Sequence, residues 1–252
     1  RYPRMLMRVH GVKLKSFFSE NLHMKDARPP MPDFKLRRIK LLADMIYGVS
    51  NIVIKYHRII AEGTENLPYD GPALLLPKHH AYRDILVEGV SLYRFTKRYP
   101  TFVMKTGLWG ILEHFGGVKV TRPKDIRRLK DKTARRNAIK AARIANDDLQ
   151  QYLSGLYRNG EIVISHPEGE RSSGSMGPLQ KEIVEHLLHV QQDHSLRVPI
   201  IPIGIEYESY KQPLSKVFFR IGTPIYGEGI SELPLLMDNI SNDLRCLSGL
   251  PS

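Results

Sequence analysis

A histidine and an aspartate lie close together in the segment KHHAYRD at positions 78–84, which follows the apolar run Ala73–Leu76 and leads into a helical pattern. A carboxylate beside a histidine fixes the imidazole tautomer and stabilises the imidazolium, so that the pair can act as a general base. No residue nearby has the pattern of a protein nucleophile. The segment therefore predicts chemistry in which a hydroxyl of the substrate attacks once a histidine has taken its proton.

Two histidines compete for Asp84. On a regular helix, residues five apart point about 140° away from each other, so His79 reaches Asp84 only from before the helix, folded back over its first turn. His80 stands four residues from Asp84 and would share a helix face with it. Spacing alone slightly favours His80. The alternative is a surface histidine pair at a helix start, with Asp84 as an acid that the helix dipole favours.

Metal binding is a second interpretation of the same segment. His79, His80 and Asp84 are all possible ligands. However, no further His or Cys cluster stands at a recognised ligand spacing. We therefore predict no metal and no cofactor.

Two later segments carry residues that suit an anion. The segment GGVKVTR at 116–122 begins with two glycines, which permit close backbone approach, and ends in Arg122, whose guanidinium can bind a phosphate through two hydrogen bonds. The segment HPEGERS at 166–172 places Glu168 and Arg171 around a glycine after a rigid proline. It predicts a compact site for anions and hydroxyls, and the alternative is a charged surface turn.

The segment VPIIPI at 198–203 places two prolines in an apolar strand. Proline removes a hydrogen bond of the ladder, so it is unusual in a central strand. We therefore predict an edge or bulged strand beside an apolar channel.

The elements that position these segments alternate along the chain from residue 61. Strands are predicted at Ala73–Leu76, Thr101–Met104, Val118–Thr121, Glu161–Ser165, Ile200–Tyr207 and Val217–Ile221. Helices are predicted at Arg83–Phe95, Leu108–His114, Thr133–Tyr157, Leu179–Gln192 and Ser231–Leu247. This alternation indicates an α/β fold, a largely parallel mixed sheet flanked by helices. Ligands in such sheets bind beyond the carboxyl ends of the strands, where His79, Arg122 and His166 each follow a predicted strand.

The first 60 residues are predicted to form a basic N-terminal segment that precedes the domain 61–252. Apolar residues recur at steps of three and four over 34–58, the pattern of an amphipathic helix. One interpretation is a surface helix that packs on the core. The other is a helix that lies in a lipid interface, where its Lys and Arg residues meet anionic headgroups. No run approaches the ~20 apolar residues that span a bilayer.

The charge of the chain is uneven. Lys and Arg number 38 against 26 Asp and Glu, a net charge of +12, and positions 1–60 and 119–143 each carry a local excess of nine. Partners with phosphate groups are expected: nucleic acid, an anionic membrane or a phosphorylated small molecule. The basic zones lack interleaved aromatic residues and contain no nucleic-acid motif, so nucleic acid is not predicted.

Taken together, the four segments resemble the motifs of the glycerolipid acyltransferases, the group that contains 1-acylglycerol-3-phosphate and glycerol-3-phosphate acyltransferases. The first motif, Asn-His-x-x-x-x-Asp, is similar to positions 78–84, and the second, a Gly followed five residues later by Arg, to positions 117–122. The third, Phe-Pro-Glu-Gly-Thr-Arg-Ser, is similar to 166–172, and the fourth, a proline-containing apolar strand, to 198–203. The sequence departs from these motifs at Lys78, where Asn is usual, and at His166, where Phe is typical.

The resemblance implies an acyltransferase domain over 61–252. It would move a fatty acyl group from acyl-CoA or an acyl-carrier-protein thioester to a hydroxyl of a glycerophosphate lipid, with 1-acylglycerol-3-phosphate favoured as the acceptor. Three alternatives stay open: another lipid acceptor, a lipid-binding protein of the same fold without catalysis, or a non-catalytic basic protein that binds nucleic acid.

The resemblance also assigns roles to single residues. It selects His79 over His80 as the base, with Asp84 as its orienting carboxylate. Arg122 and Arg171 would bind the acceptor phosphate, and Glu168-Gly169 would shape that pocket. It implies no cofactor and no metal, and a peripheral position on the cytoplasmic face of an anionic membrane.

Overall fold

The computed structural model describes residues 34–105, 116–121, 126, 130–172 and 174–250 of the 252-residue chain. The predicted helix Leu108–His114 lies outside the described residues. So does Arg122, one of the two predicted phosphate ligands. The elements below belong to the described part of the chain.

Seven strands and five α-helices alternate within the described residues. The strands are β1 Arg58–Glu62, β2 Ala73–Pro77, β3 Thr101–Lys105, β4 Gly117–Val120, β5 Ile162–Ser165, β6 Ile200–Tyr207 and β7 Lys216–Ile221. The helices are α1 Lys40–Val53, α2 Asp84–Thr96, α3 Lys132–Arg158, α4 Glu182–His194 and α5 Leu233–Leu247. The six strands predicted from residue 61 onward are all present.

The strands form one sheet in the order β1-β7-β6-β2-β5-β3-β4. Strands β2 to β6 run parallel to one another, whereas β7 is antiparallel to β6 and pairs with β1 in parallel. The predicted α/β class, with a largely parallel but mixed sheet, is confirmed. Because β2 to β6 point the same way, their carboxyl ends form one edge of the sheet, and loops that follow these strands meet there.

Helices cover both faces of the sheet, and the sequence of β2 reflects this. Every residue of β2 is buried, and its side chains alternate between two apolar clusters. Leu74 and Leu76 join the cluster that α3, α4 and α5 cover, while Leu75 joins the cluster beneath α2 and the end of α1. The sheet edge is therefore held between two packed layers.

Of the two positions predicted for the strand at 198–203, edge or bulged, the edge position is wrong. Strand β6 lies between β2 and β7, near the middle of the sheet. Pro202 is tolerated there because β7 ends at Ile221. The N–H that proline lacks would point beyond the end of β7, so no hydrogen bond between the two strands is lost. The carbonyl of Pro202 still accepts a hydrogen bond from the N–H of Gly222 at 2.9 Å.

The N-terminal segment differs from its prediction in detail. The helix predicted over 34–58 is shorter, since α1 spans Lys40–Val53 and a 3₁₀ turn follows at Ile54–Tyr56. Strand β1 was not predicted, because the three-and-four spacing of apolar residues continues into its first residues. The boundary placed at residue 60 falls inside β1, which pairs with β7 along its whole length.

Candidate active site

His79 and Asp84 meet at the carboxyl end of β2. The Nδ1 of His79 lies 3.0 Å from Oδ2 of Asp84, the first residue of α2. His79 precedes the helix and folds back over its first turn, which is the arrangement that a spacing of five residues requires. An ionised carboxylate can only accept hydrogen bonds, so Nδ1 of His79 carries the proton of this contact, and Nε2 is unprotonated in the neutral ring.

Asp84 is held by four donors and is fully buried. Its Oδ2 also accepts the N–H groups of His80 and Ala81 at 2.6 and 2.7 Å, and its Oδ1 accepts the hydroxyl of Tyr207 at 2.7 Å. Burial alone would raise the pKa of Asp84, but the hydrogen bonds from His79, Ala81 and Tyr207 outweigh burial and lower it. The carboxylate is therefore charged and fixed in direction.

His80 takes no comparable position. Its backbone N–H binds Asp84, but its ring nitrogen Nε2 is buried without a hydrogen-bond partner among the described residues. Burial, and then the charge of Lys78, lowers the pKa of His80. The ring is thus a neutral, enclosed group, and the structure brings His79 rather than His80 to the carboxylate.

A second imidazole stacks on His79. The ring of His166, which follows β5, lies with its centroid 4.1 Å from that of His79, and the two planes are inclined by 28°. The Nε2 of His166 is 3.0 Å from Oε1 of Glu88, which is fully buried in α2. Burial alone would lower the pKa of His166, but the Glu88 carboxylate, through its charge and its hydrogen bond, raises it. The predicted convergence of the loops after β2 and β5 is present.

Lys78 joins these two loops from inside the protein. Its side chain is fully buried, and its Nζ lies 2.7 Å from Oε1 of Glu168 and donates to Oγ and the carbonyl of Ser172 at 2.6 and 2.8 Å. The other oxygen of Glu168 accepts the Ser172 hydroxyl and the N–H of Gly177. Both oxygens of Glu168 are therefore engaged with groups of the protein itself.

Gly169 and Arg171 lie in the same loop. Gly169 has φ = 63°, and a Cβ at this position would collide with the side chain of Gln180, so the turn requires glycine. Arg171 is exposed and lies over the ring of Tyr82, with its Cζ 3.4 Å from the ring centroid. Arg171 is therefore a cation at the rim of the site rather than in its interior.

An apolar cavity of about 440 Å³ adjoins His166. Its apolar wall combines side chains from β3, β4, α3 and α4: Val103, Val120, Leu149, Leu153 and Ile183. No group of three or more His, Cys, Asp or Glu side chains suited to a metal ion occurs among the described residues. The site thus joins a charged His-carboxylate centre to an apolar space.

Sequence reasoning missed three residues of this centre. Glu88 stands four residues after Asp84, a helical spacing that could have placed both carboxylates on one face. Lys78 was noted only as a departure from a motif, and nothing local indicated that its charge would be buried. Tyr207 is distant in sequence, and only the pairing of β6 with β2 brings it near Asp84.

Comparison with known proteins identifies the family. The model of the acyltransferase family matches residues 58–206, more than half of the chain. The chain therefore belongs to the acyltransferase family, and the resemblance inferred from its motifs is confirmed. The match includes strands β1 to β5, all of β6 but its last residue, and every residue of the site described above except Tyr207.

Among solved structures, eight chains match. One is the crystal structure of PlsC, the 1-acyl-sn-glycerophosphate (LPA) acyltransferase of Thermotoga maritima, with 17% sequence identity, a TM-score of 0.52, and coverage of 83% of this chain and 79% of that chain. This likeness supports the fold. No sequence match was found among curated proteins.

Proposed function

We propose that this acyltransferase moves a fatty acyl group from a thioester to a hydroxyl of a glycerophosphate-type acceptor, with 1-acylglycerol-3-phosphate as the favoured acceptor. The observation that carries the proposal is the contact of His79 Nδ1 with the buried carboxylate of Asp84. It leaves one imidazole nitrogen to take a proton from a hydroxyl. The likeness to a 1-acyl-sn-glycerophosphate acyltransferase favours this acceptor.

The reaction needs no acyl-enzyme. Nε2 of His79 takes the proton of the acceptor hydroxyl while its oxygen attacks the thioester carbonyl, and Asp84 stabilises the imidazolium that forms. The tetrahedral intermediate collapses with cleavage of the C–S bond, and His79 returns the proton to the leaving thiolate. The products are an ester and a free thiol, and the histidine is neutral again.

Binding of the acceptor phosphate is assigned to cations at the rim of the site. Arg171 lies over the ring of Tyr82 at the rim of the site, and Arg122, which lies outside the described residues, comes two positions after the end of β4 in the sequence. Guanidinium groups bind phosphate through paired hydrogen bonds, which suits this role. Gly169 and the Glu168–Lys78 ion pair hold the backbone that presents Arg171.

The donor is proposed to approach from the side of α3. The cavity beside His166 has an apolar wall that suits a fatty acyl chain. The first turns of α3 carry exposed Arg136 and Lys140. This helix connects β4 to β5 and so begins at the carboxyl edge of the sheet. A basic surface at that edge fits the phosphates of acyl-CoA or the acidic surface of an acyl-carrier protein.

A peripheral position on the cytoplasmic face of an anionic membrane completes the proposal. The outer face of α1 carries five apolar side chains that are between 51% and 68% exposed: Leu41, Met45, Val49, Ile52 and Val53. None of the described helices is both long and apolar enough to cross a bilayer. Such a face, flanked by Lys40 and Lys55, suits insertion at the level of the headgroups.

A loop beside the end of α1 extends this apolar surface. Leu214 is 74% exposed and has φ = 60°, an uncommon backbone conformation for a residue other than glycine. Its N–H donates to the carbonyl of Tyr56 at 2.6 Å, which holds the loop against the end of α1. The loop therefore presents Leu214 next to the proposed lipid-facing side of α1, where it would add to membrane contact.

The experiment is an acyl-transfer assay that crosses glycerol-3-phosphate, 1-acylglycerol-3-phosphate and an uncharged glycerolipid with acyl-CoA and acyl-carrier-protein donors. Transfer to 1-acylglycerol-3-phosphate is expected with at least one donor. The His79→Ala variant should lose about 10²–10⁴-fold in kcat, the contribution of a general base, while its circular dichroism spectrum is unchanged.

His80→Ala serves as the matched control, because it removes a neighbouring imidazole that does not contact Asp84 through its ring. It should retain far more activity than His79→Ala. Equal activities of wild type and His79→Ala would refute the assignment of the base. Vesicle binding without transfer to any acceptor would favour a lipid-binding protein of this fold.

A further inference from the structure

Helix α2 presents two buried carboxylates, and each holds one imidazole. Asp84 and Glu88 are one helical turn apart on the same face, and both are fully buried. Asp84 holds His79 at 3.0 Å and Glu88 holds His166 at 3.0 Å. The two imidazoles stack on each other at 4.1 Å. The second pair therefore reproduces the first within the same site, and the proposed reaction does not use it.

We propose that His166 and Glu88 form a positioning pair, in which a cationic His166 ring packed against His79 fixes the orientation of the base and keeps it in its unprotonated form before the substrate binds. The inference rests on the proposed function, because it assigns His79 as the base. It goes beyond that function, since it gives a role to Glu88 and His166, which take no part in the proposed reaction.

The burial of Glu88 carries the argument. A carboxylate removed from water needs a partner, and Oε2 of Glu88 has no hydrogen bond within the described residues, so the contact of Oε1 with His166 is what compensates its charge. An apolar residue at this position of α2 would pack without that cost. A buried carboxylate that faces only one imidazole is therefore suited to keep that imidazole charged.

Other charged groups around His166 act in the same direction. Asp84 on α2 and Glu168 in the loop after β5 add negative charge near the ring and, after Glu88, help to raise the pKa of His166. The facing imidazole is that of His79 from the loop after β2. A positive charge on His166 opposes a second positive charge on His79, because two like charges about 4 Å apart repel strongly where water is excluded.

The test compares wild type with Glu88→Gln, which keeps the shape of the side chain and removes its charge. The acid limb of the kcat/KM profile is expected to move to higher pH by about one unit. Activity at pH 6 then falls about tenfold relative to wild type, whereas activity at pH 9 stays within about threefold. Glu185→Gln is the matched control, because Glu185 lies on α4 and pairs with Lys181 outside the site.

The second variant removes both members of the pair. His166→Phe combined with Glu88→Leu keeps a flat ring against His79 and leaves no buried charge at these two positions, so it guards against a failure of the single variant to fold. The same shift of the acid limb is expected. A uniform loss of activity at every pH, with no shift in either variant, would overturn the proposal and leave the pair a purely structural role.

Nitrogen-15 NMR of the histidine rings provides a readout that does not require turnover. At pH 7.5 His166, assigned by its absence in His166→Phe, is expected to be doubly protonated in wild type and neutral in Glu88→Gln. A neutral His166 in wild type contradicts the inference even if acyl transfer is normal. If wild type transfers no acyl group to any acceptor, the proposed function itself fails, and the inference fails with it.

Discussion

At the scale of single residues, the site is organised by charges that the protein has removed from water. Lys78, Asp84 and Glu88 are fully buried, and each is held by specific partners of opposite charge or by hydrogen bonds. Lys78 shows this well, because a motif comparison treats it merely as an unusual neighbour of His79. In the structure its ammonium group ties the loop after β2 to the loop after β5.

We predict that Lys78→Met strongly destabilises the protein. The substitution leaves the Glu168 carboxylate buried without its counter-charge, and the loss of one partner from such a pair costs about 3–5 kcal/mol. The measurement is the free energy of unfolding in urea. The double variant Lys78→Met/Glu168→Leu should recover much of that loss, since neither charge remains buried. A double variant less stable than Lys78→Met would contradict this account.

At the scale of elements, α1 has two faces of different composition. Its inner face consists of residues spaced three and four apart, among them Ala43, Tyr47 and Ser50, which face the rest of the protein. The outer face is apolar and exposed. The amphipathic pattern in the sequence identified the helix but could not decide whether its large apolar residues pack on the core. The fully buried residues of α1 are the small Ala43 and Ser50, and most of its large aliphatic residues point outward.

We expect the double variant Met45→Glu/Val49→Glu to lose binding to vesicles that contain phosphatidylglycerol. Both side chains are exposed, so the substitutions place charge on the face proposed to enter the lipid while leaving the core intact. Co-sedimentation with vesicles measures the effect, and circular dichroism checks the fold. Leu235→Glu on α5 is the control, because Leu235 is equally exposed but lies on another helix. Undiminished binding of the double variant would exclude α1 as the docking surface.

At the scale of the whole molecule, buried histidines link stability to pH. Burial, and then the nearby charge of Arg83, lowers the pKa of His57, and burial with the charge of Lys78 lowers that of His80. Below pH 6.5 these two histidines therefore bind protons more readily in the unfolded chain than in the folded protein. The stability that the folded protein gains from them is complete above pH 6.5 and is lost as the pH falls through their lowered pKa values in the folded state. His166 acts oppositely, since its contribution is complete below pH 6.5 and is lost as the pH rises through its raised pKa.

The melting temperature is thus predicted to fall between pH 7 and pH 5, by about 2–4 °C for each kcal/mol lost in a chain of this size. His57→Gln should weaken that dependence, because glutamine can keep hydrogen bonds to Ser215 and Arg83 without titrating. Differential scanning calorimetry across this pH range measures the slope. His189→Gln, which changes an exposed histidine, should leave the slope as in wild type. The same slope in His57→Gln would exclude His57 as a source of the dependence.

Much of the fold was predictable because its signals are local. Six strands and four of the predicted helices rest on runs and periodicities that β2, β5, α2 and α3 display within a few residues. Strand β1 escaped prediction, since it is a short edge strand whose residues continue a helical pattern. The position of β6 was predicted wrongly, because the cost of a proline depends on which neighbouring strand its missing N–H would face. That information lies in β7 and not in β6.

The sequence by itself determined the family: a histidine and an aspartate at a strand-to-helix junction, with an arginine-containing loop after another parallel strand, stand in an order and spacing that identified the acyltransferases, and the motif resemblance selected His79. Only the tertiary structure showed that His79 folds back onto Asp84, that a second pair stacks on the first, and that Lys78 is buried. These outcomes depend on the distances between loops that follow β2, β5 and β6, and on the exclusion of water where they meet. Such distances are set by the packing of the whole sheet, which no local stretch of sequence specifies.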